Sequence, residues 1–545
     1  MLPDRAVPAE KGEGTAVLLC GELAKQGTGL DLEELRVSLE AAFPGIFVEI
    51  APDLCGHLAR LPTLVAGRGV ARVVLALCSW DYSPVELQRG ARKAGLDPFG
   101  LEVVALGAVQ EASLLLRAAV ARALAFPGSS PQHAKPYFLP RHQKLSRRSL
   151  FKLPLVAYRP VPGIQEEACR AEAGCELCAR ACPLQALKRL GGHMLLDKTR
   201  CESCGVCLAA CPREAISFPG WSLGQMEAQL GTLLDPTSAD RPPALLFSCQ
   251  RATRALGEMA SQGSSSPHRW FPVVVPCLGM VTQTWLLQAL ARGAEALALL
   301  SCGGECPFGQ ERDIGGRVNF CRRLLGLLGQ DPERVRVFSA ADPQRLLRAL
   351  QELPPQRGKG LPGPLPQPLR LGTVESAFQA ITWLAGGQPQ LSGLALEHPY
   401  SPFGVVELRS EGCTGCLACA QACPTGALAS ERGGDEVTLT FLPSSCTGCG
   451  ICAEVCPEKT AQVLAVRPMT DGELLPRGRT VLHRDWLATC EGCGAPIASQ
   501  ALLRRLEASL DGRSEALRTA IGRYCPSCRS SFACSTHPRG SSHSG

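Results

Sequence analysis

Aromatic residues make up only 5% of this 545-residue chain, which leaves little π surface for stacking nucleic-acid bases. Neither sign of charge dominates. Against 50 Asp and Glu stand 56 Lys and Arg, a net of +6 spread thinly along the sequence, and that describes a solvated surface rather than a nucleic-acid footprint. No stretch approaches the roughly 18 uninterrupted apolar residues of a membrane-spanning helix. Met1 to Gly14 is polar and acidic, unlike a secretory leader. Missing as well are a Walker-type phosphate loop, a G-x-G-x-x-G between strand and helix, H-E-x-x-H and G-x-S-x-G. Those absences argue against a flavin or nicotinamide site and against the common hydrolases. The nine histidines are scattered and read as surface or core positions.

Cysteine is the exception, with 29 residues, most in short spaced clusters. Disulfide frameworks belong to small secreted domains, so in a chain of this length the thiols point to metal in a reducing cytoplasm. Ser146 to Lys152 has the twin-arginine look of an export signal. It lies far from the N-terminus and is followed by Pro154 and Pro160, so it reads as a basic linker.

The most specific pattern is C-x2-C-x2-C-x3-C-P, written twice: Cys413, Cys416, Cys419, Cys423, Pro424, then Cys446, Cys449, Cys452, Cys456, Pro457. In such a pair the first three cysteines of each run bind one cluster and the fourth crosses to the other. One [4Fe-4S] cluster is therefore expected on Cys413, Cys416, Cys419 and Cys456, and another on Cys446, Cys449, Cys452 and Cys423. The stretch, 405–467, resembles the bacterial-type two-cluster ferredoxins.

A second module of this type is expected over 163–222. Its later half, Cys201, Cys204, Cys207, Cys211 and Pro212, is intact, and the crossing rule joins Cys201, Cys204 and Cys207 to Cys182. The earlier half keeps Cys175, Cys178, Cys182 and Pro183 but has Glu172 where the first cysteine belongs. Cys169 is the expected fourth ligand beside Cys175, Cys178 and Cys211. Glu172 in that place, or a [3Fe-4S] form, are the alternatives.

Two further segments alternate apolar runs with amphipathic helices, the signature of parallel sheets covered on both faces. In the first, 1–128, Cys20 and Cys78 fall at the carboxyl ends of strands, where open α/β sheets place ligands. Leu18 to Glu22, Asp53 to Gly56 and Val73 to Pro84 resemble the N-terminal domain of the flavin-carrying subunit of heterodisulfide reductase, which implies an iron–sulfur cluster. The family's additional cysteine, two positions before Cys20, is Leu18 here, so Cys20, Cys55 and Cys78 are candidate ligands on three thiolates alone.

In the second, 240–332, the strands expected at 244–249, 273–277 and 296–302 all end in cysteine, and Cys306 follows Cys302 closely. Pro276 to Gly279 and Ser301 to Cys306 resemble the delta subunit of methyl-viologen-reducing hydrogenase. That resemblance implies a [2Fe-2S] cluster on Cys249, Cys277, Cys302 and Cys306. Residues 129–162, rich in Pro, Ser, Arg and His, read as a loosely packing linker, and 350–370, rich in proline, as a linker extended rather than packed. Over 480–535, Cys490, Cys493, Cys525 and Cys528 form two C-x2-C knuckles, a structural zinc signature. With Asp485 and Trp486 they resemble zinc-ribbon tails of redox-complex subunits. Cys321 reads as packing and Cys534 as a spare thiol.

The expectation is a multidomain α/β and α+β protein: two ferredoxin-like dicluster modules, two parallel-sheet domains and a zinc-ribbon-like module. About four [4Fe-4S] clusters, one [2Fe-2S] cluster and one zinc are expected, with no catalytic residue. The function expected is an electron-transfer subunit joining a hydrogenase, formate dehydrogenase or flavoprotein to a heterodisulfide-reductase-like partner. A self-contained disulfide or sulfur-compound oxidoreductase and a redox-sensing regulator are the alternatives.

Overall fold

The computed structural model describes residues 14–25, 30–79, 82, 84–106, 111–128, 134–137, 157–235, 243–252, 269–303, 306, 308, 311–341, 343–352, 363–372, 374–387, 391–510 and 515–529. The basic segment 146–152 and Cys534 lie outside them. The chain is a mixed α/β protein that divides into two units, Met1–Cys169 with Glu176–Gln388, and Arg170–Cys175 with Pro389–Gly545.

The first unit opens with four parallel strands, β1 (Gly14–Cys20), β2 (Ile46–Ala51), β3 (Val70–Leu77) and β4 (Leu101–Ala105), in the order β2-β1-β3-β4. The apolar run Ala16 to Leu19 is fully buried, as a central parallel strand must be when helices cover both faces. Helix Leu32–Ala42 starts where the Asp31 carboxylate accepts the N–H groups of Glu33 and Glu34, a side-chain N-cap. Helix Ala112–Leu124 packs against helix Leu223–Leu233, which begins in a capping box of Ser222 and Gln225. This last helix falls in the stretch that sequence reading leaves between two domains.

A second parallel sheet repeats the first in topology: strand Arg269–Val275, then Pro243–Cys249, then Ala296–Ser301, then Val335–Ser339. The fourth strand lies beyond the boundary at 332 expected from sequence. Among the described residues it pairs on one side only, and with Val335 its one buried residue it lacks the continuous buried run of a central strand. The Pro-rich stretch also differs from expectation. Its first residues, 350–352, end helix Pro343–Glu352, and the described part from Gly363 has neither helix nor strand, yet Leu350, Leu365 and Leu369 are buried. Leu365 N–H donates to the Ala291 carbonyl at 2.8 Å, and the Trp383 indole donates to the Gly363 carbonyl at 2.8 Å. Proline fixes the backbone while the interleaved leucines anchor it beside helices Gln283–Ala291 and Val374–Leu384, which pack on each other.

In the second unit, strand Leu464–Asp471 lies between Ala395–Glu397 and Gly404–Leu408. The hairpin Leu428–Gly433 and Glu436–Phe441 continues through Thr480–Thr489 to Pro496–Ser499 in one antiparallel sheet. The C-terminal knuckle module thus shares a sheet with the ferredoxin-type module, across the gap expected between 467 and 480. Helices Gln500–Ser509 and Glu515–Arg523 follow. Among the described residues, no helix is long and apolar enough to cross a membrane.

Candidate metal centres

No described cysteine is in a disulfide. The two crossed quartets of the C-terminal ferredoxin-type motif line two separate cavities. One is walled by Cys413, Cys416, Cys419 and Cys456, the other by Cys423, Cys446, Cys449 and Cys452. The fourth cysteine of each run reaches the other run's cavity because strand pairing and the short helices Ala418–Ala422 and Ile451–Glu454 pack the two motifs against each other. The residue after the second cysteine turns in the left-handed region, at Leu417 (φ 63°) and Gly450 (φ 77°).

Burial raises Cys413, and it raises Cys419 and Cys446 to about 12, with neighbouring sulfurs adding to the effect. Cys452 is raised by the same causes, with Cys419 of the other quartet among its neighbours. Neighbouring thiolates repel one another, so thiols gathered in one pocket ionise together only when a positive centre joins them, and a coordinated thiol is deprotonated outright. Backbone N–H groups are in place to serve the sulfurs: Gly415 donates to Cys413 Sγ at 3.5 Å and Leu428 to Cys423 Sγ at 3.5 Å. The donor set and its cavities fit iron–sulfur clusters.

In the first unit, Cys204 is raised to about 11, by burial and then by Cys182 and Cys201. Cys207 is raised well above its ordinary value by burial and by Cys204, Cys201, Cys178 and Cys182. These neighbours gather the crossed quartet Cys201, Cys204, Cys207 and Cys182. Ala186 N–H donates to Cys182 Sγ at 3.2 Å. Cys211 is raised by burial and, among charges, by Cys169. Glu172 is exposed. Cys175 belongs to the segment Arg170–Cys175 of the second unit, where its N–H donates to the Arg170 carbonyl at 3.1 Å.

Cys249, Cys277, Cys302 and Cys306 wall one cavity with Arg251, Phe308 and Ile314. Cys249 is the last residue of its strand, and Cys302 directly follows Ala296–Ser301. In the order of this sheet those two strands flank the reversal point, where doubly wound sheets open a crevice. Cys277 and Cys302 are both raised to about 12, by burial first and then by their neighbours. Among the charges acting on Cys277 is that of Cys204. Gly205 explains the approach: a Cβ there would stand 2.9 Å from Met280 Sδ. Trp221 adds a tie, its indole N–H donating to the Val274 carbonyl at 3.1 Å.

Two groups of thiols are drawn much closer together. The sulfurs of Cys490, Cys493, Cys525 and Cys528 all lie within 4.8 Å of one another, and so do those of Cys20, Cys55 and Cys78. Cys490 is lowered to about 6, chiefly because the Cys525 N–H donates to its sulfur at 3.2 Å. Cys321 is fully buried within helix Glu311–Leu327 and raised by burial alone.

Sequence reading missed the approach of Cys204 to Cys277. Its one signal was the glycine at 205, small enough to admit another chain segment.

Three family models match parts of the chain. Residues 244–355 are similar to the delta subunit of methyl-viologen-reducing hydrogenase, 412–460 to a 4Fe-4S dicluster domain, and 194–217 to a 4Fe-4S binding domain. No curated protein matches the chain. The delta-type match runs past 332 and takes in the fourth strand of the second sheet. These similarities support an iron–sulfur electron-transfer role for the chain.

Proposed function

We propose that the protein is a relay subunit in which the delta-type site exchanges single electrons with the first ferredoxin-type module. The observation that carries this reading is the packing of Gly205 and helix Val206–Ala210, directly after Cys204, against Leu278–Met280, directly after Cys277, two ligand candidates of different centres, with the charge of Cys204 acting on Cys277. Clusters supply one-electron chemistry: as one is oxidised its neighbour is reduced, and no bond to the protein is made or broken. The chain's own residues hold the centres, exclude water and set potentials through burial and N–H···S bonds such as Gly279 N–H to Cys277 Sγ at 3.4 Å.

The ligand sets proposed are those of the crossing rule, with Cys169 completing Cys175, Cys178 and Cys211. Its influence on Cys211, together with the exposure of Glu172, supports that choice. Cys249, Cys277, Cys302 and Cys306 are proposed for a [2Fe-2S] centre, and Cys490, Cys493, Cys525 and Cys528 for zinc. The domain boundaries proposed are those read from the sequence, with the delta-type domain carried on to 355 and the modules at 405–467 and 480–535 taken as one body because they share a sheet. Partners of the hydrogenase, formate dehydrogenase or flavoprotein type on one side, and heterodisulfide-reductase-like on the other, accord with the delta-type match and the N-terminal resemblance.

Anaerobically purified Cys277→Ser is the test. It should lose the [2Fe-2S] electron paramagnetic signal while the [4Fe-4S] signals persist, and electrons delivered by a reduced viologen should then stop short of the delta-type site. A [2Fe-2S] signal that survives the substitution would overturn the assignment.

A further inference from the structure

The two parallel sheets of the first unit share one strand order, and their cysteines occupy corresponding places. Cys20 closes the first strand of one sheet as Cys249 closes the first strand of the other. Cys55 follows the second strand of its sheet, as Cys277 does. Cys78 directly follows the third, as Cys302 does. Four residues beyond Cys302 stands Cys306, and four beyond Cys78 stands Tyr82. The N-terminal domain therefore has the delta-type layout with one thiol fewer.

The spacing of the sulfurs differs between the two. On a single zinc ion with bonds of about 2.3 Å, tetrahedral geometry puts ligand sulfurs about 3.8 Å apart. In a [4Fe-4S] cluster each thiolate takes a different iron and stands at an outer corner, and in a [2Fe-2S] cluster at most two share one iron, so three thiolates of a cluster are never all close together. Among the described residues, three or more metal-binding side chains gather within 4.8 Å only at the C-terminal knuckles and at Cys20, Cys55 and Cys78. Neither the ferredoxin-type quartets nor the delta-type quartet does so. Cys20 and Cys78 are 3.7 Å apart, sulfur to sulfur, and so are Cys493 and Cys525 of the knuckles.

The loop that delivers Cys55 is also built. Asp53 holds a left-handed backbone (φ 46°), accepts the Gly56 N–H at 3.2 Å, and meets His57 Nδ1 at 2.8 Å. Cys78 N–H donates to Cys55 Sγ at 3.1 Å, the kind of bond that Cys525 N–H makes to Cys490 at the knuckles. Three sulfurs this close do not fit the iron–sulfur cluster that the N-terminal resemblance implies.

We propose that Cys20, Cys55 and Cys78 hold one thiophilic metal ion, zinc by donor chemistry, at the strand ends of a second copy of the delta-type design. Three thiolates leave the fourth tetrahedral corner to a water or a small solute, the arrangement of open rather than closed zinc sites.

Metal analysis of the full chain, purified anaerobically, tests this. Cys55→Ser/Cys78→Ser, which spares the fully buried Cys20, should lose about one zinc per chain with iron and acid-labile sulfide unchanged. A matched loss of iron and sulfide would place a cluster there, and no change in either metal would leave the thiols without one; both overturn the proposal. Should that variant fail to fold, Cys490→Ser/Cys493→Ser leaves the N-terminal site intact as the remaining zinc site. Zinc X-ray absorption of that protein should show about three sulfur neighbours at about 2.3 Å, and a spectrum without sulfur scattering overturns the assignment.

Discussion

Leu417, Gly205 and Gly450 occupy the same motif position, directly after the second cysteine, and all three have left-handed backbones. A side chain there costs about 1–2 kcal/mol, yet Leu417 is kept because it is buried in the core with Leu428 and Leu439. Losing a buried leucine side chain costs about 2–5 kcal/mol, so packing outweighs strain. Leu417→Gly should destabilise its module by about 1–3 kcal/mol, measured by chemical denaturation under anaerobic conditions. At Gly205 the balance reverses, since a Cβ meets Met280 as well as strain. Gly205→Ala should cost about 1–2 kcal/mol, whereas Gly224→Ala, with open space around it, should change little.

Another residue-scale effect belongs to Glu102, buried beside Arg122, whose Nε lies 3.0 Å from its carboxylate. Burial pushes the carboxyl up to about 7, against the pull of Arg122. Because the folded value exceeds the unfolded one, the associated stability is present below the unfolded value and is lost as pH rises through about 7. Melting temperature should therefore fall as pH rises from about 5 to about 7 and level off above that, and Glu102→Gln should reduce the fall. An unchanged pH dependence in the variant would contradict the assignment.

The elements carry the coupling between the knuckles and the nearest candidate cluster site. Ser499, at the start of helix Gln500–Ser509, donates its hydroxyl to the Thr414 carbonyl, and the charge of Asp485 reaches Cys413. Stripping metal from the knuckles should therefore speed hydrogen exchange over 413–417 more than over 446–450, read by mass spectrometry; equal exchange in both loops would contradict this. None of this coupling was legible in the sequence, because β-pairing between Glu436–Phe441 and Thr480–Thr489 joins segments far apart in the chain. What was legible was local. The cysteine spacings, the buried runs of β1 and Pro243–Cys249, and the periodicity of Ala112–Leu124 each reflect one element's own environment. The edge strand Val335–Ser339 and the packed leucines at 365 and 369 were not, since their burial comes from neighbours that the local pattern does not reveal.

At the scale of the whole molecule, thiols are distributed by spacing into two kinds of site. Quartets that line cavities, with no three sulfurs drawn together, stand at the C-terminal ferredoxin-type motif and the delta-type sheet, and groups of three or four sulfurs within 4.8 Å of one another stand at the N-terminal sheet and the knuckles. Wide sites suit clusters that pass electrons, and tight ones suit single ions that fix structure or bind a solute. The most direct measurement is iron and acid-labile sulfide per folded chain after anaerobic purification, with paramagnetic resonance during a redox titration. The account predicts about four [4Fe-4S] clusters and one [2Fe-2S] cluster, each reduced by one electron. A well-folded chain that is colourless and nearly free of iron would contradict it.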